Sequence, residues 1–220
     1  MNNSSKKYFS FGIGMAVCLI LTGFLAYGIA AVNSDTVQPD NASAASLMEP
    51  QAGEQLTLAR KASAQFIGTM NEDKGSAFLE ESPNGVLIML ALHDMPAGPH
   101  AIHIHETGDC SPLEKEGIPG RDFFANSGGH LNPDEKEHGI FNTQGPHAGD
   151  LLNINIEQDG SLQAHLLNDR ITLSEGGEGL AALLDSDGSA FIIHEGTDDY
   201  ASQPTGDAGA RIACAVIKAE

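Results

Sequence analysis

Apolar and polar positions alternate along several short stretches of the chain, with the two-residue period of a strand. In "DLLNINIE", Leu152, Ile154 and Ile156 fall on one face and Asn153 and Asn155 on the other, the pattern of a half-buried strand. Comparable runs occur at "AQFIGTM", "GVLIMLALH", "HAIHIHE", "SLQAHLL", "AFIIHE" and "RIACAVIK". Turn-forming "SPNG", "MPAGP", "EQDG" and "DSDG" punctuate them. About eight short strands with such turns predict an all-β protein, an antiparallel Greek-key sandwich or barrel.

Four stretches do not alternate. Residues 9–32 form an apolar run without a charge, preceded by Lys6 and Lys7. A membrane span needs about 20 such residues and the apolar region of a secretory signal only about 7–15, so length favours an uncleaved anchor. Gly28 and Ala30 form a small-x-small pair that suits a cleaved signal peptide instead. Both readings place the rest of the chain outside the cytoplasm, in the periplasm or at the outer face of the membrane, with attachment through residues 9–32 if the segment stays. Residues 33–54 have the Ala/Ser/Pro/acidic composition of a flexible linker, which leaves 55–220 as the folded domain. Within it, residues 111–149 and 195–210 read as two long loops. Loops of that length in a compact domain need something to organise them.

Composition narrows the partners. Thirty acids against 11 bases give a formal net charge of −19. With no basic run in sight, nucleic acid is excluded as a partner. Outside the apolar segment the chain has two cysteines, Cys110 and Cys214. In an exported protein these most simply form one disulfide; the alternative is a pair of buried thiols.

Nitrogen and oxygen donors gather in or beside the loops. On a strand, His103 and His105 of "HAIHIHE" project from one face while Ile102 and Ile104 point to the core. Alone, such a pair is as consistent with a solvated strand as with a metal. The first loop adds His130, His138, His147 and Asp150. Three imidazoles and a carboxylate satisfy tetrahedral zinc with no open position, a structural site that would also hold the loop. His194, ending "AFIIHE", makes three imidazoles with His103 and His105, one nitrogen short of a tetragonal copper set. Arg211 stands three residues before Cys214; a Cys110–Cys214 bond would bring it beside the His pair, where it suits an anion. A surface ion pair is the ordinary alternative.

The order H-x-H, Cys, GGH-x-NP, H, H-x-x-D, HE-x-x-D and R-x-x-C resembles the copper/zinc superoxide dismutases, in particular their exported bacterial branch, from about residue 60 to the end. The resemblance implies copper on His103, His105, His130 and His194, and zinc on His130, His138, His147 and Asp150. His130 then bridges both metals. Asp198 would link His103 to His138, and His100 would be structural rather than a ligand. His93 and His165 match nothing in the pattern. The implied reaction is dismutation of superoxide to dioxygen and hydrogen peroxide, with copper cycling between two oxidation states, His130 carrying a proton and Arg211 orienting the anion. The family includes more than one dimer surface, so monomer and homodimer both stay open.

Two features depart from the pattern. Residues 111–129 make a longer loop than expected. Residues 195–210 contain Glu195, Asp198, Asp199 and Asp207 but no lysine, leaving Arg211 and Lys136 as the cations that could steer an anion. The rival from another class is a non-catalytic exported copper/zinc buffer or chaperone on the same fold. It would be expected to lack Arg211, a copper donor or Asp198.

Overall fold

The computed structural model describes residues 60–113, 123–174 and 179–220. The anchor-or-signal segment, the linker and part of the 111–129 loop lie outside these described residues. The chain from Gly53 to Glu220 forms one compact unit.

Among the described residues there are eleven strands, one short 3-10 turn and no α-helix. The strands are β1 (Lys61–Gly68), β2 (Asp73–Ser82), β3 (Gly85–Leu92), β4 (Gly98–His100), β5 (Ile102–His105), β6 (Ile154–Ile156), β7 (Leu162–Asn168), β8 (Ile171–Thr172), β9 (Ala181–Ala182), β10 (Ala190–His194) and β11 (Arg211–Ala219). Seven of them make one sheet in the order β5-β10-β11-β1-β2-β3-β7, with every neighbouring pair antiparallel. The pair β4–β6 is antiparallel and β8–β9 parallel. The expected all-β, antiparallel architecture is the one observed.

One main core lies beneath these sheets. Ile154 of β6 joins Ile102 and Ile104 of β5, Ile88 of β3, Leu79 of β2 and Phe191 of β10 in a single buried cluster. Phe66 and Phe191 pack with ring centroids 5.9 Å apart. Each such side chain contributes about 1.5–3 kcal/mol of burial, so the sheet is rigid where β5 and β10 present their histidines.

Two readings of the pattern need correction. The alternation does not mark β2, although that strand has ten residues. Its inward side chains are only Ala77 and Leu79, flanked by charged and small residues, too brief an alternation to register. Leu152 does not share the buried face of Ile154 and Ile156: it is 54% exposed, and Leu151 is buried in its place. The strand starts at Ile154, so the two-residue period does not yet apply at Leu152.

Candidate metal centre

β5 offers histidines on a face that the loops then cover. All four of its residues are buried, Ile102 and Ile104 in the core and His103 and His105 beneath loop. The second half of the first loop is stitched to this strand at both of its ends, near residues 130 and 150. Leu131 N–H donates to Ile104 O (2.8 Å) and Ile104 N–H to Gly149 O (2.9 Å), while His105 bridges to His130 and His103 to Asp150 through the main chain. Gly149 allows this approach, because a Cβ there would stand 2.1 Å from Ile104 O. β10 runs antiparallel beside β5 and ends at His194, opposite Arg211 of β11.

The result is a buried group of four imidazoles, His103, His105, His130 and His194, whose donor atoms lie within 4.8 Å of one another. One nitrogen of each is buried without a hydrogen-bond partner: Nδ1 of His103 and Nε2 of His105, His130 and His194. The opposite nitrogens of three are fixed by acceptors. His103 Nε2–H donates to Asp198 Oδ2 (2.9 Å), His105 Nδ1–H to Gly128 O (2.9 Å) and His194 Nδ1–H to Gly209 O (3.1 Å). An oxygen acceptor on one nitrogen holds the proton there and leaves the lone pair on the other. A buried polar atom with no partner costs about 1–3 kcal/mol. Four of them aimed into one space fit a metal ion and are difficult to account for otherwise.

Burial keeps His105, His130 and His194 neutral, the state that ligates. It pushes His194 down to about 3, helped by His103, and His130 down to about 4, against the opposing hydrogen bond of Asp150. Burial also holds His105 well below its ordinary value, reinforced by His130 and Arg211.

A second group, His130, His138, His147 and Asp150, is equally buried and compact. Asp150 Oδ1 lies 2.9, 3.1 and 3.2 Å from the Nδ1 atoms of His130, His138 and His147. His130 and His147 Nδ1 are 3.4 Å apart. Atoms about 2.0–2.1 Å from a tetrahedral centre stand ~3.3 Å from one another, so these spacings are those of a zinc tetrahedron. Asp150 Oδ2 is held apart by N–H donors of Gly139 (2.9 Å) and His147 (3.0 Å), which leaves Oδ1 for the centre. Burial opposes ionisation of Asp150, but the three imidazoles outweigh it and hold the carboxyl far below the usual range. His130 belongs to both groups, through Nδ1 in one and Nε2 in the other.

Asp198 ties the groups together. Its Oδ2 accepts from His103 Nε2 and its Oδ1 lies 2.9 Å from His138 Nε2. Burial lowers the pKa of His138, yet the hydrogen bonds of Asp150 and Asp198 prevail and raise it to about 9. The trio His103, His138 and Asp198 is close enough to hold an ion as well. Its nitrogens are already engaged with the carboxylate, which makes it a link between the two groups. His100 donates no lone pair to either group: its ring nitrogens face His194 O (2.8 Å) and Pro96 O (3.0 Å). His93 stands apart on the surface, 3.1 Å from Asp94 and 3.6 Å from Asp73, and His165 is exposed on β7.

Cys110 and Cys214 form a disulfide that closes a separation of 104 residues. Phe124, Ile192, Ala190 and Cys214 pack as a small second core, with Cys110 against it. This anchors residues 124–128 over β11, where Arg211 Nη1 donates to Phe124 O (2.7 Å) and Nη2 to Gly128 O (2.8 Å). Gly128 O thus accepts from both Arg211 and His105.

Two amide clamps carry no signature in the sequence. Asn153 pairs with the main chain of Asp198, accepting from its N–H and donating to its O, each at 2.9 Å. Gln203 does the same for His138, also at 2.9 Å in both bonds. Lys136 lines an open cavity of about 480 Å³ that reaches His130 and His147, but Glu106, Glu135 and Glu137 line it too.

An antiparallel β-sandwich holding a copper-type imidazole set and a zinc-type His₃Asp set around one shared histidine defines a binuclear metalloprotein. The family model for copper/zinc superoxide dismutase (SODC) matches residues 73–217, more than half of the chain, and the chain belongs to that family. It is 42% identical to Superoxide dismutase [Cu-Zn] 2 of Aquifex aeolicus over 72% of this chain and 86% of that protein. It is 39% identical to Superoxide dismutase [Cu-Zn] of Caulobacter vibrioides over 67% and 79% respectively. Among solved structures, a double mutant of a superoxide dismutase-like protein from Bacillus subtilis matches with a TM-score of 0.62 and 37% identity, covering 70% of this chain and 94% of that one.

Proposed function

We propose that the protein dismutates superoxide, with His103, His105, His130 and His194 holding copper and His130, His138, His147 and Asp150 holding zinc. The four unpartnered imidazole nitrogens that converge on one buried space carry this reading. When bound, copper supplies the one-electron exchange that oxidises one superoxide to dioxygen and reduces a second, with two protons, to hydrogen peroxide, while zinc with four protein donors holds the loop.

The chain's own groups do the rest. Arg211, fixed by residues 124–128, attracts the anion and orients it beside His105 and His194. His130 stays anchored through Nδ1 among the zinc donors, holds a proton at Nε2 between the two half-reactions and gives it to the second superoxide. Asp198 keeps His103 and His138 in the tautomers that direct their remaining nitrogens to the metals.

Residues 9–32, with the lysines before them, support export to the periplasm or to the outer face of the membrane, and the disulfide is consistent with an oxidising compartment. A mature protein about 3 kDa lighter than the full chain would rule out the anchored form. His194→Ala tests the activity and the assignment together. The variant should keep zinc, lose copper and stop consuming superoxide; undiminished copper content or turnover contradicts the reading.

A further inference from the structure

Ser127 is fully buried, and its hydroxyl sits between two functional side chains. It ends the 3-10 turn Ala125–Ser127, entered through Phe124 in the left-handed region (φ 62°). The sharp turn points three oxygens, Phe124 O, Gly128 O and Ser127 Oγ, at the start of β11. Ser127 Oγ–H donates to Phe124 O (2.8 Å), and Oγ accepts from Arg211 Nη1 (3.0 Å). The same oxygen lies 3.3 Å from His105 Nδ1. A hydroxyl has one donor and two lone pairs. Here the donor is committed to Phe124 O, so the oxygen meets Arg211 as an acceptor and lies beside the His105 Nδ1–H, which it shares with Gly128 O.

We propose that Ser127 is a positioning residue for the anion: its hydroxyl fixes the orientation of the Arg211 guanidinium relative to the imidazoles of His105 and His194. Two carbonyls hold the ends of the guanidinium fork, one on each terminal nitrogen. Ser127 Oγ adds an acceptor on the Nη1 side, so that nitrogen is held by a side-chain oxygen as well as by a carbonyl. The hydroxyl also touches His105, so arginine and ring are held against one atom. This rests on the reading of Arg211 as the group that orients the anion.

Ser127→Ala removes the hydroxyl with little change in volume and orphans no partner, because Phe124 O keeps its bond to Arg211. The test uses the full chain loaded with copper and zinc, with azide as the probe anion, titrated through its Cu(II) charge-transfer absorption. Ser127→Ala should keep both metals and weaken azide about 3- to 10-fold, the scale of one hydrogen bond to a charged group. KM for superoxide should rise by more than kcat falls. Ser127→Thr, which keeps a hydroxyl, should restore most of the affinity. In an Arg211→Ala background the serine change should have no further effect.

If Arg211→Ala leaves azide binding unchanged, the reading of Arg211 itself fails. If Arg211→Ala weakens azide while Ser127→Ala does not, or if the two losses simply add, the assignment to Ser127 fails. Should Ser127→Ala lose its metals, Ser127→Gly and the guanidinium ¹⁵N signals of the copper-free, zinc-loaded protein decide. Separate Nη1 and Nη2 signals in the parent that merge in the variant support the proposal, and signals equally sharp in both contradict it.

Discussion

Gln203 meets the main chain of His138 twice, accepting from its N–H and donating to its O, both at 2.9 Å across 65 residues of sequence. The amide copies a strand partner and fixes the backbone beneath a zinc donor, so the 195–210 loop and the first loop hold one another at that donor. Gln203→Ala removes both bonds, each contributing about 0.5–1.5 kcal/mol. Zinc should bind about tenfold more weakly in chelator competition, with the copper spectrum unaltered. Unchanged zinc affinity would show that the loop is held elsewhere.

Gly206 packs against the Asp198–His138 hydrogen bond. An added Cβ would stand 1.9 Å from Asp198 Oδ1 and 2.7 Å from His138 Nε2, in a backbone with φ +71°. Gly206→Ala is therefore expected to displace the carboxylate that serves both metal groups. Loss of such an outer partner typically costs about 10–100-fold in metal affinity, here for copper and zinc together. Gly98→Ala is the control: it shares a positive φ (+115°) but has open space around its Cβ, so it should lower stability without changing either affinity.

The metal-free protein should lose stability in mild acid. His130 and His194 are held near 4 and 3, below their value of about 6.5 when unfolded, so below pH 6.5 the unfolded chain binds protons first. Each such ring contributes a fall of about 1.4 kcal/mol per pH unit, until the pH drops through its folded value. His138 has the opposite sign: raised to about 9, its contribution is complete below pH 6.5 and fades as pH climbs through 9. Urea unfolding should thus place the optimum of the apo-protein near neutrality, with a steep loss from pH 6.5 to 4. Metal loading, which competes with protons for the same nitrogens, should move that loss to lower pH. A flat apo-protein profile between pH 7 and 4 contradicts the burial of neutral rings.

Anion steering should be weak. Lys136 borders the cavity that leads to His130, but three carboxylates (Glu106, Glu135 and Glu137) share its wall. Lys136 itself is half-exposed and 4.0 Å from Asp134. From about 10 mM to about 0.1 M salt the Debye length falls from ~30 to ~10 Å, and superoxide turnover should change little over that range. Glu135→Lys should raise the low-salt rate several-fold and make it salt-sensitive. A steep fall with salt in the parent protein would sink this expectation.

The donors were legible because metal ligands are few in kind and fixed in order. The two-residue period placed His103 and His105 on one face, and the His₃Asp chemistry set apart His130, His138, His147 and Asp150. The pair His103 and His105 alone was open to a solvated-strand reading, and Arg211 to a surface ion pair, until the fold laid β10 beside β5 and residues 124–128 over Arg211. What the sequence could not reveal is the framework of ordinary residues. Ser127, Asn153 and Gln203 act through a hydroxyl or an amide on main-chain or side-chain atoms far away in sequence, and such residues carry no spacing signature. Leu152 misled for a related reason: a side-chain period says which face a residue takes only once the strand has begun.

The most direct test of the account is superoxide consumption by the full chain reconstituted with copper and zinc, measured beside its metal content. The expected result is one copper and one zinc per chain and rapid consumption of superoxide, lost when copper alone is withdrawn. A protein that holds both metals at these sites yet leaves superoxide untouched would contradict it, and would be a metal store on this fold.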